Sequence, residues 1–267
     1  MRGSRGGVLP SLILVSAALA GSCTDVSTSP AQAAAIEFDS LPFPAVVTGD
    51  TLRDSLGRVA PLHAVVLNGA GGPITNAAVL YVTLDTGLTI DASGIVTAQA
   101  RNGTVRVLAS VSGLRGVPLQ SVTETLQIAR RPDSVIATRT RDTTLVYTIP
   151  DSASKNVTAP LSVRVATNDT SGGFTGTKGW VVSYQTFWHE QPLAPADTTL
   201  ASLWDDASRV SSLAATGLDG SAGRRLRVRS LLLPTAPDSF VVVATVQYRG
   251  AQVRGSPVRF VIHTRPR

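Results

Sequence analysis

The side chains able to do chemistry are few and scattered. The three histidines, His63, His189 and His263, lie far apart, and none has a second ligand at metal-site spacing. Zinc hydrolases present paired His on one helix face or compact Cys/His clusters, and nothing of that kind occurs. No G-x-S-x-G elbow marks a nucleophilic serine, although a triad drawn from distant Ser, His and Asp residues stays open in a Ser-rich chain. "NGAGG" at 68–72 is glycine-rich but runs into Pro73 without a following Lys-Ser or Lys-Thr, so it reads as a hairpin turn and not a phosphate loop. Asp205, Asp206 and Asp219 and the Asn168-Asp169 turn carry oxygens, yet no loop spaces enough acids for calcium. No cofactor or metal is expected.

Two stretches point to binding. In "GRRLRVRSL", 223–231, strand alternation puts Arg225, Arg227 and Arg229 on one face and Leu226, Val228 and Ser230 on the other. Two readings stand: a solvated outer face that resists edge aggregation, or an anion-binding stripe for acidic glycans. In "TFWHEQPLAPADTTLASLWDD", 186–206, Trp188 and Trp204 flank a Pro-containing segment with little strand pattern. A long loop would expose both indoles for stacking on sugars or for a protein contact. The competing reading has both covering the end of a core.

The elements that must carry these residues are strands. Gly, Pro, Thr, Ser and Val abound, whereas lysine is limited to Lys155 and Lys178 among 24 basic residues. Apolar runs recur between turn signals at 45–47, 60–68, 78–84, 94–98, 104–111 and 123–129, then near 143–148, 160–167, 179–187, 208–213, 224–233, 238–248 and 257–264. In "TVRVLASV" Val105, Val107, Ala109 and Val111 share one face, as a half-buried strand requires. Trp180, Val182 and Tyr184 alternate in the same way, at a place where a sandwich commonly sets a core aromatic. The pattern predicts an all-β chain with two tandem immunoglobulin-like β-sandwiches, over 36–131 and 132–267, joined at "RRPDSV".

The beginning of the chain reads as an address. Arg2 and Arg5 precede a short apolar run, Val8 to Leu19, and small residues follow. This is a secretory signal over 1–22, too short to remain as a spanning helix. The only cysteine, Cys23, stands directly after Ala20-Gly21-Ser22. That tetrapeptide resembles the lipobox of bacterial lipoproteins, with Ala20 where the pattern prefers Leu. The resemblance implies lipidation of Cys23, a membrane partner through that anchor, and location in the cell envelope, with the outer membrane as the expected site. Residues 23–35, small and polar at first, read as a tether. One cysteine leaves no internal disulfide, so the core alone must hold an exported fold.

"LTIDASGIVTAQARNGTVRVLASVSG", 88–113, resembles the C-terminal half of group 2 bacterial immunoglobulin-like domains: Ile90-Asp91, Gly94, a short "VTA" strand, Gly103, then an alternating strand. The resemblance implies a fold, not a ligand. The second half is similar in a general way to immunoglobulin-like or fibronectin-like sandwiches. The formal charge of +6, two units of which belong to the signal, suits acidic envelope polymers. Basic runs interleaved with aromatics are lacking, so nucleic acid is not expected as a partner. The sequence thus supports a non-catalytic binding, adhesion or spacer module on the envelope, facing a polysaccharide or another surface protein. The alternatives are a glycan- or cell-wall-binding lipoprotein using Trp188, Trp204 and the arginine strand, and a hydrolase with a dispersed site.

Overall fold

A computed structural model describes residues 33–99, 103–112, 118–168, 173–195, 199–229 and 238–267. The signal, Cys23 and most of the tether lie outside these residues, as do Asp169 and the expected turn after Arg229.

The first unit contains β1 (Ala33–Phe38), β2 (Ala45–Val47), β3 (Ala64–Asn68), β4 (Val79–Thr83), β5 (Leu88–Ile90), β6 (Val96–Ala98), β7 (Gly103–Ser112) and β8 (Pro118–Ala129). One sheet runs β2-β8-β7-β4, and the two-stranded pairs β1-β3 and β5-β6 accompany it. Alternation decides the layers. Val105, Val107, Ala109 and Val111 are all buried, while Arg106 points to solvent against Asp85 at 2.9 Å. Val96, Leu52, Leu126 and Ile128 complete the core. The turn between β5 and β6 follows from its residues. The Asp91 carboxylate accepts from the amides of Ser93 and Ile95, and Gly94 takes φ +84°. A Cβ on Gly94 would stand 2.5 Å from the Leu62 carbonyl, so no other residue fits there. The expected tether is shorter than its predicted span, because Ala33 and Ala35 already pair with β3.

The second unit contains β9 (Ser134–Ala137), β10 (Asp142–Tyr147), β11 (Leu161–Asn168), β12 (Phe174–Gly176), β13 (Val181–Trp188), β14 (Gln191–Pro192), β15 (Ala201–Trp204), β16 (Leu213–Ala215), β17 (Ser221–Val228), β18 (Asp238–Thr245), β19 (Gln247–Tyr248), β20 (Ala251–Gln252) and β21 (Val258–Pro266). One sheet runs β10-β21-β18-β13-β14, with β16 also on β13; the other runs β12-β11-β17-β15, with β9 on β11. Between them lie Val163, Val165, Trp180, Val182, Tyr184, Leu226, Phe240 and Phe260. The Tyr184 hydroxyl donates to the Ala222 carbonyl at 3.0 Å, tying one sheet to the other, and burial raises its pKa. The all-β sandwich reading holds. The strand expected near 208–213 does not form there. Asp205 instead closes a turn on Arg209 at 2.9 Å, and pairing shifts to β15 before it and β16 after it.

Candidate functional site

In the antiparallel ladder of β15 and β17, Trp204 stands opposite Arg225 and Ser202 opposite Arg227. Leu203, Leu226 and Val228 turn to the core, so the arginines and Trp204 share the outer face. That much agrees with the alternation in the sequence. A solvated stripe of three arginines does not form, however, because residues 156–158 pair beside β17 and the turn before them brings Asp151 onto this face. Asn156 is fully buried, and its side-chain amide bonds the Thr148 carbonyl and Asp151. The Val228 amide donates to the Asn156 carbonyl at 2.9 Å. Arg227 is 1% exposed, with its Nη2 2.5 Å from Asp151 and its guanidinium 5.7 Å from the centre of the Trp204 ring. Arg229 lies 3.6 Å from the same carboxylate, and Arg225 lies 3.7 Å from Asp206. The cluster is therefore a clamp in which two carboxylates offset most of the charge of three arginines. Only Arg225 and Arg229 retain access to solvent.

Trp188 is the last residue of β13, in phase with Val182 and Tyr184 and hence directed at the core end. Its ring stacks near Phe240 at 6.5 Å, and its indole N–H donates to Asp238 at 2.6 Å. His189 stacks on Trp188 at 4.2 Å and reaches the second Asp238 oxygen at 3.0 Å. His189 and Glu190 both have positive φ, making the two-residue turn that starts β14. Burial would raise the Asp238 carboxyl, but the bonds from Trp188, the Ser239 amide and His189 outweigh it and hold the group below its ordinary range. The exposed-loop expectation thus gives way to two strand ends. Both tryptophans are partly buried, they lie on opposite sheets, and no ring contact joins them among the described residues.

Each histidine has a distant carboxylate partner: His63 with Asp39 at 2.7 Å, His189 with Asp238, and His263 with Asp142 at 3.1 Å. Ser239 is the cross-strand neighbour of His263, which places Asp142, His263 and Ser239 on adjoining strands. The Asp142 and His263 side chains are 70% and 53% exposed, and Ser239 makes no hydrogen bond to His263. A catalytic triad needs its carboxylate buried and its serine bonded to the imidazole, and this trio offers neither. Among the described residues no three His, Cys, Asp or Glu side chains gather as metal ligands. Asp205 and Asp219 accept bonds within their own turns, from Arg209 and Ser221.

The most densely bonded carboxylate among the described residues, Asp50, was not legible as special in the sequence. It is 7% exposed and accepts from Arg249 at 2.9 Å, the Tyr248 hydroxyl at 2.9 Å, Arg53 and the Thr51 amide. Burial pushes this carboxyl up, yet the four donors prevail and hold it far below the usual carboxylate range. Arg249 and Tyr248 belong to the second unit and Asp50 to the first, so the cluster crosses the joint. Beside it Phe43 meets Trp180 at 4.9 Å, and Trp180 meets Tyr248 at 6.0 Å. Ala45, Val47 and Ala129 of the first unit extend into the core of the second. Gly57 closes the contact: with φ +83°, its Cβ would fall 2.2 Å from the Arg249 backbone. No local motif announces these partners, which lie about 200 positions apart in the chain.

A comparison with known protein families finds none that matches, and none of the curated proteins matches either. Solved structures are similar at low identity. Fibronectin(III)-like modules of Clostridium thermocellum CbhA share 12% identity over 86% of this chain and 94% of theirs, with a TM-score of 0.33. Domains 1–6 of the surface layer protein SbsC share 11% over 88% of this chain, with a TM-score of 0.31; the match spans 29% of that protein. The human Desmocollin-1 ectodomain shares 10% over 87% of this chain and 42% of its own, with a TM-score of 0.27. These likenesses concern β-sandwich architecture alone.

Proposed function

We propose that this chain is an exported lipoprotein, anchored through Cys23, whose two sandwiches act together as a rigid non-catalytic binding or spacing module on the cell envelope. The observation that carries the reading is the joint. Asp50, Arg249, Tyr248, Phe43 and Trp180 lock two units that a flexible tandem would leave free. A fixed joint suits holding a surface at a set distance and angle from its anchor. The signal residues before Cys23 support the address, and the finer kinship with group 2 bacterial immunoglobulin-like domains rests on residues 88–113.

The test is fractionation of bacteria producing the full chain with labelled palmitate. The expected result is label and protein together in the membrane fraction, both lost from it in Cys23→Ala. An unlabelled wild type, or a Cys23→Ala chain that stays with the membrane, would overturn the anchor.

A second reading, attachment to an acidic envelope polysaccharide, is favoured by one further observation. Several exposed arginines of the second unit have no carboxylate within 4.0 Å among the described residues. Trp188, Trp204 and Arg227 are poorly placed to serve it, being occupied in the packing described above.

A further inference from the structure

We propose that the outer face of the β10-β21-β18 sheet, centred on Arg259 and Arg265, is the surface that takes a linear acidic polysaccharide. The inference rests on the second reading above and gives it an address.

The first support is a pattern of neutralisation. Arg53, Arg58, Arg106, Arg209, Arg227 and Arg249 each lie within 3.2 Å of an aspartate oxygen. Arg139, Arg141, Arg254, Arg259, Arg265 and Arg267 are exposed and have no such partner among the described residues. These six are not dispersed. Arg259 and Arg265 are in β21 itself, and Arg267 follows it, bonding its amide to Tyr147 of β10. The Arg141 carbonyl accepts from Val261 of β21, and Arg139 sits in the turn before β10; Arg254 precedes β21 but pairs with β9 of the other sheet, at the border of this group.

The second support is geometry. On β21 the outward positions are Arg259, Val261, His263 and Arg265, alternating with buried Phe260, Ile262 and Thr264. At about 3.3 Å per residue, Arg259 and Arg265 stand roughly 20 Å apart along one strand. That is a line of charge, matched to an extended polymer with acids at intervals. Edge protection does not account for it, because β21 is an interior strand between β10 and β18.

The third support is what surrounds the line. The outward residues of β18 are Ser239, Val241, Val243 and Thr245, and those of β13 include Ser183, Gln185 and Phe187, none of them charged. Asp142 is the carboxylate on β10, and it is engaged by His263. Hydroxyl and amide groups on a shallow apolar floor suit sugar rings. A single half-buried phenylalanine offers no stacking ladder for bases.

The test uses the full chain carrying Cys23→Ser, so that no lipid is attached, with polygalacturonate as the probe, neutral dextran as control and phosphatidylglycerol vesicles as the competing acidic surface. The expected result is salt-sensitive binding to polygalacturonate and not to dextran. Arg259→Ala with Arg265→Ala should weaken it by about twofold to thirtyfold, as two exposed ion contacts allow. Lysine at both positions should restore most of it, and Arg58→Ala with Arg209→Ala, which removes equal charge elsewhere, should change little. Matching thermal melts would keep the comparison free of unfolding. If the wild type ignores polygalacturonate, the polysaccharide reading and this surface both fail. If the wild type binds and the Arg259/Arg265 variant binds as tightly, the polysaccharide reading survives and this surface is wrong. Equal or tighter binding to the vesicles would overturn the polysaccharide as occupant.

Discussion

Replacing Asp50 by alanine tests the rigid joint most directly. The carboxylate is 7% exposed and takes charged hydrogen bonds from Arg249 and Arg53 and a neutral one from Tyr248. A hydrogen bond to a charged group contributes about 1.5–3 kcal/mol, but Arg249 is 52% exposed and Arg53 26%, so both regain water when the acid is lost. The discounted cost is about 2–4 kcal/mol, which for a chain this long lowers the melting temperature by roughly 5–15 °C. The pH dependence carries a sign. The folded carboxyl titrates well below the unfolded one, so its stabilisation is complete above about pH 5 and fades as pH falls below about 4. Urea titrations followed by tryptophan fluorescence, which reports on Trp180 at the joint, should show the wild type and Asp50→Ala far apart at neutral pH and converging in acid. A loss below about 0.5 kcal/mol at neutral pH, the range of an ordinary surface change, would mean that Asp50 does not hold the joint. So would a gap that stays constant well into acid.

Three other substitutions test the arginine cluster and the joint. Arg227→Ala strips the buried partner from Asp151 and should cost about 3–5 kcal/mol in urea denaturation, whereas Arg225→Ala, paired with an exposed aspartate, should cost under about 1 kcal/mol. Gly57→Ala places a methyl against the Arg249 backbone at a positive φ and should loosen the joint while leaving each sandwich folded; limited proteolysis between the units should quicken, and an unchanged cleavage rate would count against a locked joint.

The class of fold and much of its layering follow from local pattern. Alternation in "TVRVLASV" and "GWVVSYQTF" assigns Val105, Val107, Trp180 and Tyr184 to buried faces, because a strand has only two sides and the core takes the apolar one. Turn chemistry is equally local: Asp91 and Gly94 carry their geometry in their own side chains, or the lack of one. The covering of a face is a different matter. Arg225, Arg227 and Arg229 alternate as a solvated stripe would, and only the segment around Asn156, some 70 residues away, buries the middle one. Trp188 and Trp204 read as loop residues because Pro and Asp between them mask two short strand ends, whose pairing with Phe240 and Arg225 is long-range. Asp50 looks like any turn aspartate until the fold brings Tyr248 and Arg249 against it. Periodicity is a property of neighbouring residues and can be read along the chain. Burial of an outer face and the bonding of a lone carboxylate depend on what distant segments bring against them, and the tertiary structure alone decides that.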